Sequence, residues 1–209
     1  MSFAKPRRAQ VLMAAAILAL CAVAGAVPRP THAEDAAAPS GLRGEVLRWI
    51  KDAESKLLEL AEATPENKYS WRPAKDVRST GEVFMHVATA NYGLPGVAGV
   101  KPPEGFDIAT FEKSKTKKAE IVETLRASFA HAEKAWSEMP EADLEKPVEV
   151  FGMKMTARGV YLMLLSHCHE HLGQSIAYAR SNGVVPPWTA RREAAAAAKK
   201  SEAKPAGEK

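Results

Sequence analysis

Apolar residues return at three- and four-residue intervals in four separate stretches of this chain, and each stretch predicts an amphipathic helix. From Leu42 to Ala63, residues Val46, Ile50, Ala53, Leu57 and Leu60 share one face, and Pro65 follows the end. The second stretch opens with Ser79-Thr80-Gly81-Glu82, a capping-box pattern, and its inner stripe reads Val83, His86, Val87, Ala90 and Leu94. The third runs from Lys117 to Glu138 with Ile121, Leu125, Phe129, Ala132 and Trp136 aligned, and Pro140 lies beyond it. The fourth runs from Ala157 to Asn182, where Gly183 supplies a C-terminal stop; its stripe is Val160, Leu164, His167, His171, Gln174 and Tyr178. Just before it, Val148 to Met155 alternates around Gly152, the pattern of a small β-hairpin. Four helices of about 20 residues predict an all-α four-helix bundle with one long crossover.

The two ends of the chain follow different patterns. Residues 1–33 carry Lys5, Arg7 and Arg8, then an apolar run from Val11 to Val27, then the small-residue site Thr31-His32-Ala33. That order predicts a cleaved export signal, and hence a periplasmic location. Contact with a membrane is expected only through this segment, were it left uncleaved. Residues 34–40 read as a disordered linker and residues 189–209 as a disordered tail rich in Ala, Lys and Glu. The bundle domain is therefore expected at residues 41–188.

Charge narrows the possible partners. Residues 1–33 hold four basic residues and no acidic one, so their removal turns 29 basic against 25 acidic into 25 against 25. A near-neutral mature chain lacks the clustered cations on which nucleic-acid binding depends, and that class of partner is excluded. Of the two cysteines, Cys21 lies in the signal and Cys168 remains alone, so no intramolecular disulfide is expected. Cys168 reads as a small buried hydrophobe, about 100° around its helix from His167.

The chemistry of the chain is concentrated in its histidines. His167 and His171 are one helical turn apart, a spacing that sets their Cβ atoms roughly 5–6 Å from each other. With His86 from the second helix they form a three-imidazole set that leaves a coordination position open, the pattern of reactive zinc sites. The competing reading is a polar core in which the histidines satisfy hydrogen bonds. His169 is turned about 200° from His167 and is expected at the surface, as is His131 on the third helix. Two residues are candidates for orienting ligands or holding substrate: Gln174, three positions beyond His171, and Glu82, four positions before His86. For Glu82 the capping role is the stronger expectation. No phosphate loop, CxxC pair or GxSxG elbow is present in the 209 residues.

The segments YSWRPAKDVRSTGEVFMHVATANY and HCHEHLGQSIAYARSNGVVPPWT resemble the DinB-like (damage-inducible) family of metal-binding four-helix bundles, over most of residues 42–189. Carried across by motif, that resemblance implies a divalent metal, zinc or nickel first, on His86, His167 and His171. It also implies kinship with thiol-dependent transferases and isomerases, although an export signal is out of place beside cytosolic low-molecular-weight thiols. Three functions are thus expected to compete: a metal-dependent hydrolase or thiol transferase acting on a small molecule, a non-catalytic metal- or ligand-binding stress protein, and a polar-cored interaction module. The resemblance further implies that the bundle can pair as a homodimer.

Overall fold

The computed structural model describes residues 41–202 of the 209, and the expected export signal and linker lie outside the described residues. Four long helices carry the fold: α1 (Gly41–Ala63), α2 (Thr80–Val97), α3 (Lys118–Glu138) and α4 (Ala157–Ser181). A two-stranded antiparallel hairpin, β1 (Pro147–Val150) and β2 (Met153–Thr156), precedes α4 and pairs Val150 with Met153. The protein is an all-α four-helix bundle with that small hairpin. Both α1 and α2 pack on α3 and α4, so α1 and α2 face each other across the bundle diagonal. The long crossover, residues 98–117, joins α2 to α3 and contains a 3-10 turn at Phe111–Lys113.

Helix α2 departs from the expected single stripe. Phe84, Met85, Val87, Ala88 and Asn91 are all buried, so apolar contact surrounds most of the helix. Its start is fixed in three ways. Ser79 and Glu82 complete the capping box, with the Glu82 carboxylate accepting from the Ser79 amide at 2.6 Å. The amides of Thr80 and Gly81 donate to the carbonyls of Trp71 and Tyr69, each at 2.9 Å. At Gly81 a Cβ would lie 3.3 Å from the Tyr69 carbonyl oxygen and 3.1 Å from Ile121, so only glycine lets the incoming chain approach so closely. The phase of His86 is set by this anchored first turn.

Helix α4 begins at the Thr156 cap, whose side chain accepts from the Gly159 amide at 3.1 Å. The hairpin that feeds it turns through Phe151 and Gly152, both at positive φ, and leaves the Phe151 ring exposed. At the far side of the bundle, Trp136 fills the space between α1 and α4. Its indole nitrogen donates to the Arg43 carbonyl at 2.9 Å, and the Arg43 guanidinium returns a bond to the Trp136 carbonyl.

The expected disorder is overturned over residues 189–202, and residues 203–209 lie outside the described residues. Residues Pro187–Glu202 form a fifth helix, α5, packed on α1. Trp188 packs against the core, Thr189 is buried, and Arg191 pairs with Glu59 of α1 at 2.9 Å. The reading of the tail as a polar chain without an apolar stripe overlooked two things. Ala, Lys, Arg and Glu are the strongest helix formers, and one docked turn at the start relieves the nucleation penalty.

Glu133 of α3 meets Glu54 of α1 with one carboxyl oxygen buried and without a partner, while Lys51 lies 3.8 Å from the other. Burial first, then the neighbouring Glu54 carboxyl, push its carboxyl up from 4.5 to about 7. A raised carboxyl in the folded state means that the folded protein keeps its proton longer than the unfolded chain. Stability from this group is therefore complete below 4.5 and lost as pH rises through about 7. Urea titrations should show a Glu133→Gln protein losing less stability than the parent across that interval; equal losses in the two would sink the assignment.

Candidate metal centre

α2 and α4 bring His86, His167 and His171 together. Each ring offers one nitrogen, and these atoms lie within 4.8 Å of one another. The ring centroids of His86 stand 4.9 Å from His167 and 4.7 Å from His171, and the two α4 rings are 4.4 Å apart. His171 is buried and the other two are half-buried, so access is from the His86 and His167 side.

The hydrogen bonds decide which nitrogens are bare. His86 Nδ1 lies 2.7 Å from Glu112 Oε2, and an ionised carboxylate only accepts, so Nδ1 carries the proton and Nε2 does not. His171 Nδ1 lies 2.7 Å from the Gln174 amide oxygen, with the same consequence. The amide orientation is held in turn: Gln174 Nε2 donates to Tyr178 Oη at 3.0 Å, and Tyr178 donates to the Arg78 carbonyl at 3.3 Å. Two imidazoles therefore point unprotonated Nε2 atoms inward. His167 Nε2 is 3.0 Å from His86 Nε2, while its Nδ1 is buried with no partner.

Electrostatics disfavour a charge on His86 and His167. Burial first, then the neighbouring His171, His86 and Arg78, push His167 down to about 3. Burial also lowers His86, against the opposing hydrogen bond from Glu112. For Glu112, burial raises the carboxyl, but the hydrogen bonds from Arg78 and His86 outweigh it and hold the group below the usual range. Arg78 supplies two of these contacts, at 2.6 and 3.2 Å. Three imidazoles, two of them with the outer nitrogen engaged by an acceptor, are a donor set suited to a borderline divalent cation.

The other expectations sort by position. Gln174 contacts His171, but Glu82 does not reach His86: its carboxylate is taken by the Ser79 amide and by Arg72 at 3.2 Å. A glutamate in the first turn is consumed by the free backbone donors there, as the competing reading of this residue held. Glu112 fills the place beside His86 instead. It lies 26 residues away in the crossover, where no periodicity marks it, and sequence reasoning missed it. His169 lies outside the cluster, half-buried and edge-on to Trp49, and His131 packs edge-on to Tyr92. Asn91 was also missed. It is fully buried and donates to Ser128 Oγ at 3.1 Å, with Cys168 at 3.5 Å on its oxygen, a polar link across α2, α3 and α4.

Residues 50–175 match the sequence model of the DinB superfamily. The chain belongs to the DinB superfamily. Solved structures of DinB and related proteins share the fold. A DinB-like protein from Bacillus cereus is 20% identical at a TM-score of 0.61, covering 70% of this chain and 95% of that one. YfiT from Bacillus subtilis, described as a probable metal-dependent hydrolase with an unusual four-helix bundle topology, is 10% identical at 0.55, covering 68% and 89%. A mycothiol-dependent maleylpyruvate isomerase is 17% identical at 0.51, covering 62% and 59%. Identities this low establish a common DinB fold and not a common chemistry. No curated protein matches the chain in sequence.

Cys168 is fully buried, and burial pushes its thiol up to about 12. The thiolate needed for reaction is thus suppressed in the folded state. In protein beginning at Glu34, which lacks Cys21, Ellman's reagent should leave Cys168 untouched in the native state and titrate one thiol in urea; rapid native labelling would contradict this burial.

Proposed function

We propose that this chain is an exported DinB-superfamily protein that holds one divalent ion, zinc or nickel, on His86, His167 and His171. We further propose that it hydrolyses a small molecule admitted beside them. The observation that carries the reading is the pair of bare Nε2 atoms, fixed by Glu112 and Gln174 and facing one point. Membership of a superfamily that shares its fold with a probable metal-dependent hydrolase supports it. Export is supported by the composition of residues 1–33. An exported protein would meet little low-molecular-weight thiol, which favours hydrolysis over thiol transfer.

When bound, the ion supplies Lewis-acid polarisation at the position that three protein ligands leave open. The chain supplies the arrangement. Glu112 accepts the Nδ1 proton of His86 and so fixes its tautomer, and Gln174 does the same for His171. Arg78 keeps Glu112 ionised, so that the carboxylate remains an acceptor. Apolar side chains beside His86 and His167 exclude bulk water from the approach.

Elemental analysis of protein beginning at Glu34 should find about one equivalent of metal, lost in His86→Ala and His171→Ala. A folded parent that takes up neither zinc nor nickel would overturn the proposal. Glu112→Ala should keep the site but weaken metal affinity by roughly 10–100-fold in a competition titration with a chelator. N-terminal sequencing of the protein recovered from its native host should begin at Glu34; an intact Met1 would refute processing.

A further inference from the structure

A cleft of about 390 Å³ opens directly onto His86 and His167. Its walls come from four separate elements: α2, the crossover, the β1–β2 hairpin and α4. Ala90 and Leu94 of α2, Val150 of the hairpin and Met163 of α4 make the interior apolar. Eight large hydrophobic side chains are exposed among the described residues, and three of them line this one cleft: Val97, Ile108 and Phe151. Isolated exposed hydrophobes need no explanation, but a cluster at the mouth of a concave site does.

The polar groups of the cleft are confined and of one kind. Apart from the two histidines and Thr89, they are the carboxylates Glu112, already engaged by Arg78 and His86, and Glu149, exposed on β1. No lysine or arginine is among the described residues that line it. The hydroxyl of Thr89 is also spent, donating to the Met85 carbonyl at 2.8 Å. An anionic group along the cleft would meet two carboxylates and no cation. An apolar group would bury against aliphatic and aromatic surface. At Gly93 the absent side chain lets the crossover close onto α2: a Cβ there would lie 3.0 Å from Ile108 Cδ1, so the Ile108 side chain packs over the glycine and forms the wall.

From this distribution we infer that the ligand of the cleft is a small molecule with an apolar body and one polar head, the head directed at the histidines. The inference rests on the metal-site reading above for the identity of the head, a group able to ligate a divalent ion. The body is selected by the cleft alone. Ligands carrying a second anionic group at the far end are rejected.

The test uses zinc-loaded protein and straight-chain alkanehydroxamic acids from two to eight carbons, with binding followed by calorimetry. Affinity should rise about fourfold per added methylene over the first few carbons and then level off, the factor expected for burying one CH₂. A monohydroxamate of a dicarboxylic acid should lose that gain. Ile108→Asn, an exposed position whose replacement spares the core, should flatten the dependence on chain length while acetohydroxamate binding stays within twofold of the parent. Metal content is measured on the same samples, which separates the two readings. Metal bound but no dependence on chain length overturns the apolar-ligand inference alone. Absence of metal overturns the metal-site reading. Hydroxamates that fail to bind the loaded protein at any length also overturn the inference.

Discussion

Three imidazoles that bring one nitrogen each within 4.8 Å of one another, one ring buried and two half-buried, are the constraint around which the rest of this structure is arranged. Each ring brings two nitrogens that must find partners or be left unsatisfied at a cost of the order of 1–3 kcal/mol. The chain meets much of that demand from outside the cluster. Glu112 takes the outer nitrogen of His86, Gln174 takes that of His171, and His167 alone is left with a buried Nδ1 and no neighbour. Orienting groups on the outside fix which nitrogens turn inward, where His167 Nε2 meets His86 Nε2 at 3.0 Å.

Both supports trace back to one residue. The guanidinium of Arg78 holds Glu112, and the backbone carbonyl of Arg78 accepts from Tyr178, which steadies Gln174. Arg78 immediately precedes the Ser79 cap, so the same turn that starts α2 also braces the far sides of two histidines. The Trp71–Pro73 approach has its role here: the Trp71 carbonyl anchors the Thr80 amide, and the indole packs edge-on against Tyr178 at 5.3 Å.

Much of this was legible in the sequence, and what was not has physical causes. The four helices, the hairpin and the grouping of the three histidines follow from periodicity, because a helix places i and i+4 on one side whatever surrounds it. Glu112 was hidden because contacts made by a crossover have no period. Asn91 was hidden because a polar residue inside an apolar run looks like a break in the pattern until its partners Ser128 and Cys168 are seen on other helices. Helix α5 was misread for a different reason. A sequence of strong helix formers without an apolar stripe is undecided by composition, and only the docking of Trp188 and Arg191 tips it.

The crossover of residues 98–117 owes part of its placement to a single carboxylate, that of Glu112, shared between Arg78 and His86. One hydrogen-bonded unit therefore spans a loop, a helix cap and the centre itself. Free energy introduced at one member is transmitted to the others, and the exchange runs equally in both directions. A ligand on the histidines that steadied Glu112 would steady the crossover as well, and a crossover already held would favour that ligand to the same degree. Ile108 lies on that same segment, so one stretch of chain supplies both a wall of the cleft and the carboxylate that orients His86.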